Sequence, residues 1–130
     1  MTPYAFVAVG TGAALGAWLR WWLAVRFNPV LPNLPLGTLA ANLVGAYLVG
    51  LAIAGIAATA GLSLQARLFL ITGFCGGLTT FSTFSAETVT LLSSGRIAWG
   101  LITIGAHVAG SLTATALGLL TVQLLRGAAS

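Results

Sequence analysis

Charge is what this chain has least of. Lysine and aspartate are absent, glutamate occurs once at Glu87, and five arginines supply the rest of the formal charge in 130 residues. A soluble domain of this length carries several times more charge on its surface, so a water-facing globule is excluded. Five scattered arginines form neither a patch nor a basic run, which excludes nucleic acid as a partner. The single cysteine, Cys75, excludes an internal disulfide. The single histidine, His107, has no second histidine and no carboxylate near it in sequence, which argues against a histidine-built metal site. No basic N-terminal region followed by a small-residue cleavage site precedes the first hydrophobic stretch, so that stretch is expected to be a span rather than a signal peptide.

What is present is apolar. With 58% hydrophobic residues and a mean hydropathy of +1.05, the chain reads as an all-α integral membrane protein. Four transmembrane helices are expected, over about 4–26, 36–59, 67–93 and 97–125, in one domain covering residues 1–130. So thin a bundle leaves no room for a soluble catalytic unit and argues for an oligomer.

The first span carries Gly12-x-x-x-Gly16-x-x-x-Arg20 on nearly one face, and small residues four apart let helices approach closely. Trp18, Trp21, Trp22 and Arg26 mark an interface at its end. Arg20 is either an anchor reaching toward that interface or a cation at a pore mouth. Three prolines, Pro29, Pro32 and Pro35, make a turn. In the second span Asn42 is the one amide, with Thr38 a turn earlier on the same face. Asn42 suits either an interhelical hydrogen bond or a donor aimed at a dehydrated anion.

The third span holds the most informative stretch, residues 73–84. It has three glycines in five residues, then four hydroxyl residues and two phenylalanines in the next seven. Glycine costs about 1 kcal/mol against alanine inside a helix. Serine and threonine offer the backbone competing hydrogen bonds. The stretch therefore predicts a break near 76–80, which membrane tolerates only where protein or a polar cavity covers it. Glu87 follows, an intramembrane carboxylate or a vestibule residue. In the fourth span Thr103, His107, Ser111 and Thr115 fall on one face at spacings of four.

The arginines divide almost evenly between the two ends, Arg67 and Arg126 against Arg26 and Arg96 with Arg20 deeper, so positive-inside bias is nearly absent. A chain without that bias can insert in both orientations. Two inverted copies can pair about an axis in the membrane plane, as inverted repeats do. At the break, freed carbonyls suit a small cation. Phenyl edges, hydroxyls and an amide suit an anion.

These motifs resemble the Fluc family of bacterial fluoride channels: Gly12-x-x-x-Gly16-x-x-x-Arg20, Gly37-Thr38-Leu39-x-x-Asn42-x-x-Gly45, Gly73-x-x-Gly76-Gly77-x-Thr79-Thr80-Phe81-Ser82-Thr83-Phe84, and Ser111. The third motif is the specific one. The resemblance implies an antiparallel, dual-topology homodimer in the bacterial inner membrane, with two fluoride pores and a structural sodium ion at the dimer interface. It implies sodium held by main-chain carbonyls at Gly76 and Thr79 of both copies. Fluoride would pass the ring edges of Phe81 and Phe84, with Asn42 from the partner copy. Ser82, Thr83 and Ser111 would line the pathway, and Arg20, Thr38 and Glu87 are candidate vestibule residues. The implied function is passive fluoride export, with no catalytic step. A dual-topology small multidrug exchanger is the alternative, but it needs a carboxylate in the middle of the first span, and none is there. A non-transporting assembly subunit leaves the break unexplained. An intramembrane Ser/His protease lacks a nucleophile turn and oxyanion donors.

Overall fold

The computed structural model describes residues 1–130, and every regular element in it is helical. α1 spans Pro3–Phe27, opened by the Thr2 side chain, which accepts from the Ala5 amide, and by Pro3 in the first turn. A 3-10 turn at Asn28–Val30 leads to α2, Leu36–Ala58. Pro35 precedes α2 and offers its first amides no side-chain acceptor. Asn28 does so from across the turn: its Oδ1 accepts from the Gly37 and Thr38 amides at 2.8 and 3.1 Å.

The third hydrophobic segment is built in pieces. α3 is Leu64–Arg67, capped by Ser63, whose hydroxyl accepts from the Ala66 amide. It continues as π-helix through Leu68–Cys75 and closes in the short α4, Gly76–Leu78. Thr79 and Thr80 are extended, at φ −80°, ψ 154° and φ −150°, ψ 118°. α5 then runs Phe81–Ser93. Gly95, at φ 81°, takes the left-handed conformation that ends α5, and the Arg96 amide folds back onto the Leu91 carbonyl at 2.9 Å. α6 spans Ile97–Ala128.

Close packing follows the glycines. Gly12 and Gly16 of α1 face the backbone of Phe69, Gly73, Phe74, Gly77 and Leu78, while Gly73 and Gly77 face Val9, Gly12 and Ala13. Two small-residue faces thus lock α1 onto the π-helical segment and α4. Gly50 and Gly118 meet each other where α2 crosses α6. Only 19 of 130 residues are buried, among them Leu78, Thr38 and Thr103. The chain is therefore a thin bundle with most of its apolar side chains outward.

Four spans were expected, and three of them meet the length and apolarity of a membrane crossing on their own. Three helical segments are long and apolar enough to cross a membrane: Leu36–Ala58, Leu64–Ser93 and Ile97–Ala128. α1 is long enough, with 25 residues, but Arg20 and the three tryptophans near its end dilute its hydropathy.

Candidate anion pathway

Asn42 organises the site. From α2 its Oδ1 accepts from the Thr80 amide at 2.7 Å, and its Nδ2 donates to the Thr80 carbonyl at 3.0 Å. A single side-chain amide thus satisfies both backbone groups of an extended residue 38 positions away in sequence. The second Nδ2 hydrogen points to His107 Nδ1 on α6, at 3.0 Å. Both donors of the Asn42 amide are therefore committed to groups of the same chain. Contact of Asn42 with an anion requires one of these bonds to give way.

Thr80 opens α5. Its hydroxyl accepts from the Thr83 amide at 3.1 Å and contacts the Ser82 and Thr83 hydroxyls at 3.3 and 3.1 Å. The hydroxyl run expected from sequence is thus a local network at the start of a helix. Phe81 and Phe84, three apart, stand edge to face, with ring centroids 5.4 Å apart and planes at 67°. Their environments differ: Phe81 is 78% exposed, whereas Phe84 is buried and lies 4.6 Å from the His107 ring. A cavity of about 330 Å³ is lined by Asn42, Thr79, Thr80, Phe81, Phe84 and His107, with Ser111 further along α6. None of its lining side chains carries a fixed charge.

Backbone bonding is incomplete between Gly76 and Thr80. The Thr80 amide goes to Asn42 instead of the Gly76 carbonyl four residues back, and the Gly77 carbonyl accepts from Arg20 Nε at 3.0 Å. Neither the backbone bonds outside the helices nor any side chain supplies a donor to the carbonyls of Gly76, Leu78 or Thr79. The Thr79 hydroxyl is turned back to the Cys75 carbonyl at 2.9 Å. Uncommitted carbonyls at Gly76 and Thr79 match what a small hard cation takes, since such ions prefer oxygen and unwound helix backbone supplies it.

A second polar group lies a turn along α2. The Thr38 hydroxyl donates to Glu87 Oε1 at 2.7 Å and lies 3.3 Å from Asn28 Nδ2, while Glu87 Oε2 is buried without a partner. Glu87 also borders a separate cavity of about 400 Å³ with Asn33, Ser94 and Arg96. Arg20 stands apart from both, joined to α4 instead.

Two residues escaped the sequence reading. Asn28 looked like turn punctuation, and only the fold reveals it as the cap of α2. His107 was an isolated imidazole in a stripe, and its partner Asn42 is 65 residues away. Among the stripe residues, Thr103 is fully buried and bonds the Trp99 carbonyl of its own helix, whereas Thr115 reaches the Ala46 carbonyl of α2.

Residues 7–119 match the CrcB-like protein family, described as Camphor Resistance (CrcB). A Nitrosospira multiformis protein named fluoride-specific ion channel FluC is 61% identical over 96% of this chain and 98% of its own length. Proteins of the same name from Cupriavidus necator and Pseudomonas syringae pv. maculicola are 57% and 56% identical, over 96% and 92% of this chain and 99% and 94% of their own. The match runs through α1, α2, the segmented third span and most of α6, and the chain belongs to the CrcB-like family.

Proposed function

We propose that this protein is a fluoride-selective ion channel. It passively exports fluoride from the cytoplasm through two pores formed by an antiparallel homodimer in the bacterial inner membrane. The carrying observation is the uncharged cavity in which two phenyl rings, threonine hydroxyls and Ser111 surround the bracketed Thr80. Near-full-length identity to proteins named for fluoride supports the choice of ion.

The mechanism is exchange of solvation. In acid surroundings neutral HF crosses the bilayer, ionises in the cytoplasm and is trapped there as fluoride. A negative-inside potential then drives the anion out wherever a selective pathway exists. Fluoride is small and strongly hydrated, so a pore must replace water with closely placed donors yet hold the ion weakly enough to release it. Ring edges of Phe81 and Phe84 offer weak positive potential. Ser82, Thr83 and Ser111 offer rotatable hydroxyls. Fixed positive charge would trap the ion, and the cavity has none.

In this reading four helices span the membrane, α1 included, and the extended Thr79–Thr80 is the functional break in the third. Two inverted copies bring their breaks together. The carbonyls of Gly76 and Thr79 from each copy would hold a sodium ion, which would neutralise the convergence of carbonyl dipoles. The multidrug-exchanger alternative finds no support: the chain's only carboxylate, Glu87, is in the third span and bonded to Thr38.

Fluoride and chloride efflux from liposomes carrying the purified protein tests the proposal. Rapid fluoride release with chloride retained is the expected outcome. Equal release of both ions, or of neither, refutes it.

A further inference from the structure

In the half of the bundle that holds the Ala60–Gln65 loop, close backbone contact joins the helices in two pairs. Gly12 and Gly73 press α1 against the third segment, while Gly50 and Gly118 press α2 against α6. Between the two pairs, α2 and the π-helical run leave a groove of about 400 Å³. It extends from Leu48 to Ile56 along α2 and is walled by Leu62, Leu70, Phe74 and Cys75. Only the thiol of Cys75 can hydrogen-bond there, and weakly. Gly55 lies on the wall, and a Cβ added to it would meet nothing within 4 Å. Unlike the glycines of the packed pairs, Gly55 leaves room that the chain itself does not fill.

One end of this groove is charged. The Leu62 carbonyl accepts from Arg67 Nε at 3.2 Å, which holds the half-buried guanidinium at the groove's mouth. Neither Nη group of Arg67 has an acceptor in the chain, and the one acidic side chain, Glu87, is bonded to Thr38 toward the opposite end. From Leu48 to Ile56 is about 12 Å of helix, against a hydrocarbon core of about 30 Å, so the groove descends from headgroup level to less than half depth. We propose that it seats one acyl chain of an anionic phospholipid, whose phosphate takes the free Nη donors of Arg67. Guanidinium meets phosphate oxygens through paired N–H bonds, and a basic position beside a groove between spans suits an anionic headgroup. In phosphatidylcholine the phosphate is already balanced by its own choline. A second copy of the chain is the competing occupant. It fits the charge poorly, because both ends of the bundle are cationic, Arg67 and Arg126 at one and Arg26 and Arg96 at the other. In either orientation a second copy brings no acidic side chain to Arg67. The inference is independent of the anion pathway.

Native mass spectrometry of the full-length protein in micelles tests the proposal. The protein is titrated with phosphatidylglycerol and, separately, with phosphatidylcholine of the same acyl chains. Wild-type protein is expected to retain one phosphatidylglycerol per chain, at least about fivefold more tightly than phosphatidylcholine. Arg67→Gln should erase that preference, whereas Arg126→Gln, at an exposed arginine of the same end, should keep it. Gly55→Leu fills the groove and should weaken retention of both lipids with gel-filtration elution unchanged. Cys75 is the only thiol in the chain and lies on the groove wall. Phosphatidylglycerol should therefore slow its alkylation by N-ethylmaleimide in the wild type and not in Arg67→Gln. Equal retention of the two lipids by the wild type, or an equal loss of preference in Arg67→Gln and Arg126→Gln, overturns the proposal. So does a Gly55→Leu variant that changes its elution and still retains phosphatidylglycerol, the outcome expected if a second copy fills the groove. Should Gly55→Leu fail to fold, the wild-type titration and the protection of Cys75 decide.

Discussion

Phe81 and Phe84 look alike in sequence and differ in the fold. Phe84 is held between α5 and α6 against His107, while Phe81 is 78% exposed on a lone protomer. An outward ring next to uncharged donors has no packing task within its own chain, which makes it the better candidate for a pore wall in an assembly. Replacing both with isoleucine keeps apolar bulk and removes the polarised ring edge. Fluoride efflux from the double variant is expected to fall to background, with its gel-filtration elution unchanged. Wild-type efflux would show that the edges do not carry the ion. Asn42 makes a sharper case. Asn42→Asp retains an acceptor for the Thr80 amide but loses both donors, leaving the Thr80 carbonyl and His107 Nδ1 facing a carboxylate. Each stranded group costs about 1–3 kcal/mol. The variant should therefore block anion flux and also melt at a lower temperature. Blocked flux at wild-type stability would mean that the pairing with Thr80 contributes little, and that the charge alone acts.

At the scale of elements, the third segment shows how far the sequence could be read. Glycine and hydroxyl enrichment marked residues 73–84 as a poor uninterrupted helix. The expectation centred on 76–80, whereas Gly76–Leu78 is still helical and only Thr79 and Thr80 are extended. Glycine weakens a helix without saying where it opens. That is decided by Asn42, which competes for the backbone of Thr80 from another helix, a contact no local pattern records. The π-helical run Leu68–Cys75 was likewise invisible, since its composition is that of any apolar helix. The start of α2 was legible from Pro35, although its cap, Asn28, was not: a span was expected at 36–59 and the helix runs Leu36–Ala58. Close packing of α1 onto this segment is testable at Gly77, where an added Cβ would press on the Ala13 backbone. Backbone cannot move aside as a side-chain tip can, so Gly77→Val should destabilise by about 1–3 kcal/mol or more. Gly55, with open space around it, should accept alanine without loss. Comparing thermal melts of the two variants checks this, and equal melts would argue against the tight α1 interface. Thr80→Val removes the α5 cap and should cost about 1 kcal/mol by itself.

For the whole molecule, a bundle with 19 buried residues in 130 has little interior of its own, and lipid gives its apolar faces no reason to choose one another. Association in a membrane then depends on close backbone contact and polar bonds. The uncommitted carbonyls of Gly76 and Thr79 are polar groups of this kind, and in the proposed dimer a cation shared between two copies would satisfy them. Orientation follows the same economy of charge. Arg96 is tied to Asn33 at 2.9 Å at one end of the bundle, Arg26 is at the end of α1 that leads into that loop, and Arg67 and Arg126 belong to the opposite end. With two arginines at one end and two at the other, Arg20 lying deeper, the proposed dual insertion expects no strong preference. Reporters active on only one side of the membrane, fused to the C-terminus, should both give signal from the same gene. Adding three lysines to the loop at Ala60–Gln65 should then bias insertion to one orientation and abolish fluoride efflux, because inverted pairs can no longer form. Co-expression with an oppositely biased variant, carrying its lysines at Ser94–Arg96, should restore efflux. That rescue separates loss of pairing from simple misfolding: if either biased variant conducts alone, the pores do not need inverted copies, and the sodium site formed from two breaks goes with them.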